Sequence, residues 1–427
     1  MPCWWQKAAW TSKTMTKQKL VVIGNGMAGM RTVEELLLSA PDKYDITVFG
    51  AEPYGNYNRI MLSAVLCGEK TIEDIVINNR QWYSDHGITL HAGPDKAVVS
   101  VERGLRKVIA QDGTVAEYDR LLIATGSQPT VPDIPGKDLT GVIGFRDILD
   151  VNTMLAYSNS HRHAVVLGGG LLGLEAANGL LQRGMDVTVI HNNAVLLNRQ
   201  MDTQAGKMLQ AELEQRGLKF KMAAQTEALI GDESGHIRAV RFKDGSELAC
   251  DLFVMAIGVR PNITLAKQAG LYCERGIVVN DTLQSYDPSI YAVGECIQHR
   301  GATFGLVAPL FEQAKVCANH LSAHGVAEYV TLPTATKLKV TGINLFSVGD
   351  FIGDAQTSHI QFNDPALGVY KKLVIKDNKI QGAVLYGDTN DGIWYQQLLE
   401  QAANITEMRN TLIFGKAYCM LTEPNRA

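Results

Sequence analysis

The same pattern of apolar run, glycine turn, helix and second apolar run occurs twice in this chain. The first copy occupies residues 20–49 and the second occupies residues 164–190. A G-x-G-x-x-G turn is weak evidence alone, but a copy that lies between a buried strand and a helix is typical of a dinucleotide site. Two such copies predict an α/β protein with two Rossmann-like domains.

Each position in these turns has a physical reason. The first glycine makes the turn, the second lets a pyrophosphate approach the backbone, and the third lets the helix pack closely on the strand. The N–H groups of the following helix then face the phosphates. The predicted cofactor-binding residues of the two turns are Gly24, Gly26, Ala28, Gly29, Gly168, Gly170, Leu172 and Gly173.

A carboxylate at the end of the second strand of such a unit usually receives the adenosine ribose hydroxyls. In the first copy Glu52 is the nearest candidate, displaced by two residues from the usual place, and a solvated loop glutamate is the alternative interpretation. In the second copy the strand ends at His191, with neither an acid nor an adjacent arginine. We include both residues in the predicted site, and the preference between NADH and NADPH stays open.

Three later strands also end in small residues, where a backbone can approach a cofactor closely. They are residues 118–124, 252–257 and 290–293. The site residues predicted at their ends are Thr125, Gly126, Gly258, Gly294 and Glu295.

This ordered set resembles the two-dinucleotide flavoprotein reductases, the family of glutathione reductase, rubredoxin and ferredoxin reductases and NADH oxidases. The resemblance implies that the first turn and the Ala124-Thr125-Gly126 strand end hold FAD, and that the second turn holds NAD(P)H. In the family a late Gly-Asp pair contacts the ribityl chain. Here the pair is Gly294-Glu295, which keeps the carboxylate.

More specific segments resemble one branch of the family, the N-terminal reductase module of the NAD(P)H-dependent nitrite reductase large subunit. These segments are residues 56–59, 199–202, 291–296 and the T-K-L-K-V-T-G run at 336–342. Full-length members of that branch continue into iron–sulphur and sirohaem domains. The cysteine spacing needed for an iron–sulphur cluster does not occur in residues 418–427.

The resemblance also implies roles for three further residues. Glu175 would orient the nicotinamide, with a solvated helix glutamate favoured by the helix dipole as the alternative. The helix that begins near Val307 would present its partial positive charge to the flavin. Arg59 would add a fixed cation near the cofactor, and a surface salt bridge is its competing interpretation. Disulphide reductases place a reactive cysteine near residues 57–67, but this chain has Ala64 there, and Cys67 is expected to be structural.

We expect an FAD-binding domain at residues 19–128 and 249–330, interrupted by an NAD(P)H-binding domain at 129–248. Residues 331–416 are predicted to form a small C-terminal α+β interface domain, and residues 417–427 are predicted to be a tail. Residues 1–18 are expected to be a disordered leader. We therefore expect the chain to have a glutathione-reductase-like α/β organisation with an added α+β domain.

Composition excludes several other classes of protein. A net charge of −4 gives no broad basic surface for nucleic acid. No run of about 18 apolar residues that would span a membrane occurs. The seven cysteines are scattered without a C-x-x-C pair, which favours a reducing cytoplasm and argues against a metal site.

The sequence leaves three functions open. The first is an electron-transfer module that takes hydride from NAD(P)H and reduces an acceptor protein or separate iron–sulphur and sirohaem domains. The second is a self-contained NADH oxidase or a rubredoxin- or ferredoxin-type reductase. The third is a dinucleotide sensor without turnover. A homodimer is compatible with each of them.

Overall fold

The computed structural model describes residues 17–331, 335–340 and 342–420. Most of the predicted leader and part of the predicted tail lie outside these residues. Gln18, which we expected in the leader, is already the first residue of a strand. Among the described helices, none is both long enough and apolar enough to cross a membrane.

Among the described residues, six α-helices have eight or more residues and four are shorter. In chain order the helices are α1 Met27–Ser39, α2 Leu62–Cys67, α3 Arg80–Asp85, α4 Ile148–Ser160, α5 Leu171–Gln182, α6 Thr203–Gln215, α7 Thr264–Gln268, α8 Val307–Leu321, α9 Gly392–Glu400 and α10 Lys416–Met420.

The strands of the described residues form two parallel five-stranded sheets, an antiparallel five-stranded sheet near the end of the chain, and smaller sheets of two or three strands. In chain order they are β1 Gln18–Ile23, β2 Tyr44–Gly50, β3 Asn56–Tyr57, β4 Val76–Asn78, β5 Thr89–Ala92, β6 Val98–Glu102, β7 Lys107–Ala110, β8 Val115–Glu117, β9 Arg120–Ile123, β10 Ser127–Pro129, β11 Val142–Ile143, β12 His163–Leu167, β13 Asp186–Ile190, β14 Lys219–Lys221, β15 Thr226–Gly231, β16 Ile237–Phe242, β17 Glu247–Ala249, β18 Leu252–Met255, β19 Val259–Pro261, β20 Ile277–Val279, β21 Ile290–Ala292, β22 Ile297–His299, β23 Ala302–Thr303, β24 Thr336–Val340, β25 Ile343–Gly349, β26 Ser358–Asp364, β27 Val369–Lys376 and β28 Lys379–Tyr386.

The chain divides into two compact units. The first contains residues up to 57, residues 77–126 and residues 261–330, and the second contains residues 58–76, 127–260 and those from 331 onward. One boundary between the units falls between residues 126 and 127, and the predicted domain boundary at residue 129 stays a prediction. Residues 58–76 and 249–260, which we expected in the FAD-binding domain, fall in the second unit. The separate domains predicted within these units stay predictions.

The first unit is built on a parallel sheet in the order β21-β9-β1-β2-β5. Its central strand β1 pairs in parallel with both β2 and β9. Because both faces of such a sheet are covered, its strands are almost continuously apolar. Leu20, Val22, Leu121 and Leu122 are fully buried, and α1 packs beside α8.

The second unit contains another parallel sheet, in the order β11-β18-β12-β13-β14. Strand β18 pairs with β12 in this sheet, with Ala164 opposite Leu252. The pairing of β18 with β12 explains why residues 249–260 belong to the second unit and not, as expected, to the FAD-binding domain. The apolar run 252–255 is buried in the second sheet, as local sequence alone could not show.

The C-terminal part of the second unit is an antiparallel sheet, β24-β25-β28-β27-β26, with α9 packed on β28. This arrangement has the α+β character predicted for residues 331–416. Helix α9 ends at Glu400. The Tyr370 hydroxyl donates a 2.7 Å hydrogen bond to buried Asp202, which ties this sheet to α6.

Candidate functional site: two glycine turns and their neighbours

The first glycine turn closes tightly against the end of β9. Gly24 has a φ of +112°, and a Cβ built there would lie 2.1 Å from the Ala124 carbonyl oxygen. A Cβ at Gly29 would lie 2.9 Å from both the Ala124 Cβ and the Gly24 oxygen. Only glycine fits either place without displacing backbone. The first and third glycines therefore act as the sequence predicts.

Gly26 has a different environment from its neighbours. A Cβ at Gly26 would meet nothing within 4 Å, and the residue has an ordinary φ of −89°. It is the N-cap of α1 and makes no side-chain capping bond. The first backbone N–H groups of α1 therefore face open space beside a position without a side chain, which is the arrangement that receives a phosphate.

The second turn repeats this geometry at equivalent atoms. Gly168 has a φ of +130°, and its Cβ would lie 2.3 Å from the Ala256 oxygen. A Cβ at Gly173 would lie 2.0 Å from the Gly168 oxygen, and one at Gly170 would meet nothing within 4 Å. Gly170 is the N-cap of α5 and also has no side-chain cap. Each turn can therefore accept a pyrophosphate against its helix.

A buried polar network that sequence reasoning missed holds the first turn in place. The Tyr83 hydroxyl donates to Asn25 Oδ1 at 2.6 Å, and Asn56 Nδ2 donates to the Asn25 carbonyl at 3.1 Å. Burial raises the pKa of Tyr83 to about 12, so the hydroxyl keeps its proton. Asn25 lies inside the motif, but its partners are about 30 and 60 residues away, where no local pattern indicates them.

The other predicted residues of the first unit lie at the carboxyl ends of its strands. Thr125 Oγ1 donates to the Asn262 carbonyl at 2.7 Å, and the Asn262 N–H donates to the Gly126 carbonyl at 2.9 Å. Gly294 and Glu295 follow β21. A Cβ at Gly294 would lie 3.0 Å from the Cβ of Ala28, so this strand end lies beside the first turn of α1.

Helix α8 begins at Val307 and contributes one residue that the sequence analysis did not identify. Gln313 is fully buried, and its Oε1 accepts a 2.8 Å hydrogen bond from the Gly294 N–H. Its Nε2 is buried without a hydrogen-bond partner among the described residues. An orphaned buried donor is costly, and a polar cofactor beside Gly294 would supply the missing acceptor.

Glu52 lies just after β2, and its Oε2 accepts a 2.6 Å hydrogen bond from the Tyr57 hydroxyl. The carboxylate is therefore fixed rather than a freely solvated loop group. Carboxylate oxygens accept hydrogen bonds from hydroxyl groups, so Glu52 stays a candidate acceptor for ribose hydroxyls.

His191 follows β13, close to the second turn. Its Nδ1 accepts a 3.2 Å hydrogen bond from the Gly169 N–H, which places the proton of the neutral ring on Nε2. Burial is the main cause that lowers the pKa of His191. The buried Nε2 has no partner in the described part of the chain. The ring can therefore offer one neutral donor to a ligand at this strand end.

Glu175 lies on α5, five residues after its N-cap Gly170. Helix α2 packs against α5, and the Ser63 hydroxyl of α2 hydrogen bonds to the Glu175 carboxyl. Burial raises the pKa of Glu175 to about 7, and the bond to Ser63 partly offsets this effect. A carboxyl group that titrates near neutral pH is typical of a functional site.

Cys67, at the end of α2, has the environment of a structural thiol. Its Sγ accepts a long 3.7 Å contact from Asn178 Nδ2. Burial raises the pKa of Cys67, and Glu69 and Glu175 raise it further. A neutral thiol is a poor nucleophile.

Two further predicted residues, Arg59 and Gly258, lie in the second unit. Arg59 Nη1 donates to the Arg146 carbonyl at 3.0 Å. Gly258 has a φ of +114°, and its carbonyl accepts from the Thr130 N–H at 2.9 Å. Within the described ranges, no group of three or more His, Cys, Asp or Glu side chains could hold a metal.

Comparison with known proteins identifies the class. Residues 18–320 match the pyridine nucleotide-disulphide oxidoreductase family, and residues 334–403 match the C-terminal domain of rubredoxin NAD+ reductases. The first match spans most of the chain, so the chain belongs to the pyridine nucleotide-disulphide oxidoreductase family. This confirms the predicted fold class and the prediction of an NAD(P)H-dependent flavoprotein oxidoreductase.

Individual relatives agree with the predicted branch. The nitrite reductase [NAD(P)H] of Bacillus subtilis (strain 168) is 48% identical over 92% of this chain and 48% of its own length. The assimilatory nitrate reductase electron transfer subunit of the same strain is 46% identical over 88% of this chain and 48% of its own length. The crystal structure of NADH:rubredoxin oxidoreductase from Clostridium acetobutylicum has a TM-score of 0.77 and 25% identity, covering 93% of this chain and 99% of that one. The chain thus spans about half the length of the two curated relatives.

Proposed function

We propose that this chain is the reductase portion of a nitrite-reducing system, in which it oxidises NAD(P)H and delivers the electrons to a redox centre on another domain or protein. The observation that carries the proposal is the pair of glycine turns, each with an open N-cap glycine under a helix N-terminus. The names of the two Bacillus subtilis relatives support the nitrite and nitrate context.

We assign FAD to the first turn. Gly24, Gly26, Ala28 and Gly29 would hold its pyrophosphate, and Glu52 would accept from its ribose hydroxyls. The remaining proposed FAD residues are Thr125, Gly126, Gly294, Glu295, Val307 and Gln313. Among these, Gln313 would use its orphaned Nε2 to donate a hydrogen bond to the cofactor. Arg59 and Gly258, which belong to the second unit, stay candidate cofactor-binding residues without an assigned cofactor.

We assign NAD(P)H to the second turn. Gly168, Gly170, Leu172 and Gly173 would receive the pyrophosphate, and His191 would donate to the ribose end. A neutral donor in place of a carboxylate does not repel a 2′-phosphate, so this end is compatible with both nicotinamide cofactors.

Glu175 would act beside the reacting ring. Bound FAD supplies the hydride-accepting ring and the protein orients the donor. When ionised, Glu175 would stabilise the positive charge that the nicotinamide ring gains on oxidation, and Ser63 would hold the carboxyl in place. The partial positive charge at the α8 N-terminus would stabilise negative charge on the reduced cofactor.

A rubredoxin- or ferredoxin-type reductase is the second candidate. It is favoured by the C-terminal match to rubredoxin NAD+ reductases over residues 334–403. In this case the acceptor would be a small separate redox protein. We also propose a cytoplasmic location, which is compatible with scattered cysteines that form no C-x-x-C pair, and a homodimer as the assembly to test.

Steady-state assays with NADH and three acceptors separate the candidates. The reductase-portion proposal expects turnover with ferricyanide and with separately prepared iron–sulphur and sirohaem domains of a nitrite reductase, and slow turnover with oxygen. Efficient reduction of rubredoxin with none of the domains would favour the second candidate. Rapid NADH oxidation in air without another acceptor would contradict both and indicate an oxidase.

A further inference from the structure

A cleft of about 480 Å³ lies in the first unit at the amino ends of its parallel strands. Gln18, Tyr44 and Arg120 begin β1, β2 and β9, and all three line the cleft. The glycine turn and the Gly126 strand end lie at the opposite, carboxyl edge of the same sheet. A strand of six residues spans about 20 Å, so the cleft is separate from the proposed FAD site.

Three basic side chains line this cleft: Lys43, Arg120 and His320. None of them forms an ion pair with a carboxylate of the described residues. The nearby Asp119 carboxylate accepts from the Lys19 backbone N–H at 2.8 Å. Basic groups gathered without a counter-ion repel one another, which is unfavourable unless an anion joins them.

The pKa values of two of these groups reflect that repulsion. Burial lowers the pKa of His320, and Arg120 and Lys43 lower it further. Burial also lowers the pKa of Lys43, with Arg120 as the second cause. An anion bound between the three groups would oppose the part of both pKa shifts that comes from repulsion.

Contacts within the protein account for part of this arrangement. Lys43 Nζ donates to the Leu321 carbonyl at 2.8 Å, at the C-terminal end of α8, where a cation is favourable. The Tyr291 hydroxyl and His320 Nδ1 are 2.7 Å apart. Helix capping does not account for Arg120, whose Nη1 donates to its neighbouring Asp119 carbonyl at 3.0 Å.

We propose that this cleft is a binding site for the phosphoryl group of a small anion. Arginine and lysine are the usual partners of a phosphoryl group, and charge-assisted bonds from them are strong. The Tyr44 and Tyr291 side chains also line the cleft, but the Tyr44 hydroxyl already donates to the Leu321 carbonyl at 2.9 Å, so the basic side chains carry the proposed binding. The volume exceeds that needed for inorganic phosphate and suits a phosphate monoester of a small organic molecule. The proposal does not rest on the proposed function.

The test uses the FAD-loaded full chain and two probes, inorganic phosphate and ribose 5-phosphate, with ribose as the neutral control. Isothermal titration should show one saturable site for ribose 5-phosphate and weaker binding of phosphate. Lys43→Gln combined with Arg120→Gln should weaken binding by at least about tenfold, because two charge-assisted bonds are lost. Lys17→Gln is the matched control, since Lys17 is an exposed lysine near the same edge, 3.6 Å from Asp42.

A second measurement keeps the test independent of the folding of the double variant. In the wild-type chain, histidine resonances followed by NMR should show the pKa of His320 rising when ribose 5-phosphate is added, and not when ribose is added. Absence of saturable binding for both phosphates would overturn the proposal. Equal binding to the double variant and to Lys17→Gln would also overturn it, because the ion would then be held elsewhere. Phosphate and ribose 5-phosphate binding equally well would assign the cleft to free phosphate.

Discussion

The side-chain oxygen of Gln313 accepts a hydrogen bond from the backbone N–H of Gly294, and the amide nitrogen of the same side chain has no partner among the described residues. One side chain thus fixes a strand end of the first unit and offers a buried donor beside it. This pairing leads to the first prediction about the FAD site.

Gln313→Leu and Gln313→Glu should both lower the affinity for FAD. Neither leucine nor an ionised glutamate has a hydrogen-bond donor in place of the Gln313 amide. The glutamate can still accept from Gly294. Equilibrium dialysis should therefore show a loss of about tenfold in each variant, the equivalent of about 1.4 kcal/mol. If Gln313→Glu binds FAD as the wild type does, the residue only supports Gly294 and makes no contact with the cofactor.

Gly26→Val should release FAD without unfolding the chain. A Cβ at Gly26 meets nothing within 4 Å, so the side chain enters the space proposed for the pyrophosphate. Flavin absorbance of the purified variant measures the result, and circular dichroism checks the fold. Gly104→Val is the matched control, because that exposed glycine also has open space around it. Normal flavin content in Gly26→Val would refute the assignment of the first turn.

Gly170→Val should keep FAD and lose its reduction by NADH. The open space at Gly170 matches that at Gly26, but it belongs to the second turn. Dithionite should still bleach the flavin of the variant. A variant that lost both FAD and NADH-dependent reduction would show that the two turns do not serve separate cofactors.

Binding of NAD+ should tighten as pH rises through about 7, because the pKa of Glu175 is raised to about 7 by burial. The carboxyl group is neutral below this pH and ionised above it, and only the ionised form attracts the positive nicotinamide ring. Fluorescence titrations should show a several-fold change that is absent in Glu175→Gln. Glu214→Gln, a substitution at an exposed helix position, should behave as the wild type. If the NAD+ affinity of the wild type did not change with pH, Glu175 would not be part of the NAD(P)H site.

The same raised pKa predicts the direction of a stability effect. A carboxyl that binds its proton more tightly in the folded state contributes stability below its unfolded pKa, and this contribution is lost as pH rises through about 7. The Tm of Glu175→Gln relative to the wild type should therefore increase between pH 6 and pH 8. An opposite trend would mean that the Glu175 carboxylate is stabilised by charge rather than penalised by burial.

Much of the fold and site could be predicted because the glycine motifs are local. The roles of Gly24, Gly29 and their counterparts depend on residues a few positions apart, and the motif carries that information. The placement of β18 and the partner of Gln313 depend on contacts between distant segments. Fully buried apolar strands such as residues 252–255 look alike in any sheet, so sequence pattern cannot say which sheet they join.

Cys67→Ser should leave NADH-to-ferricyanide turnover within a few-fold of the wild type. Burial raises the pKa of this thiol, and a neutral thiol does not take part in disulphide chemistry. Steady-state rates at matched FAD content provide the measurement. A large loss of turnover with FAD retained would indicate that Cys67 takes part in the reaction, as a reactive cysteine does in disulphide reductases.

The central claim is that hydride from NAD(P)H reaches FAD within this chain, and anaerobic stopped-flow mixing of the FAD-loaded protein with NADH tests it most directly. The flavin absorbance should bleach in the wild type and in Gly104→Val, stay unchanged in Gly170→Val, and recover when ferricyanide is added. The account would be contradicted if dithionite reduced the flavin of the wild type while neither NADH nor NADPH bleached it.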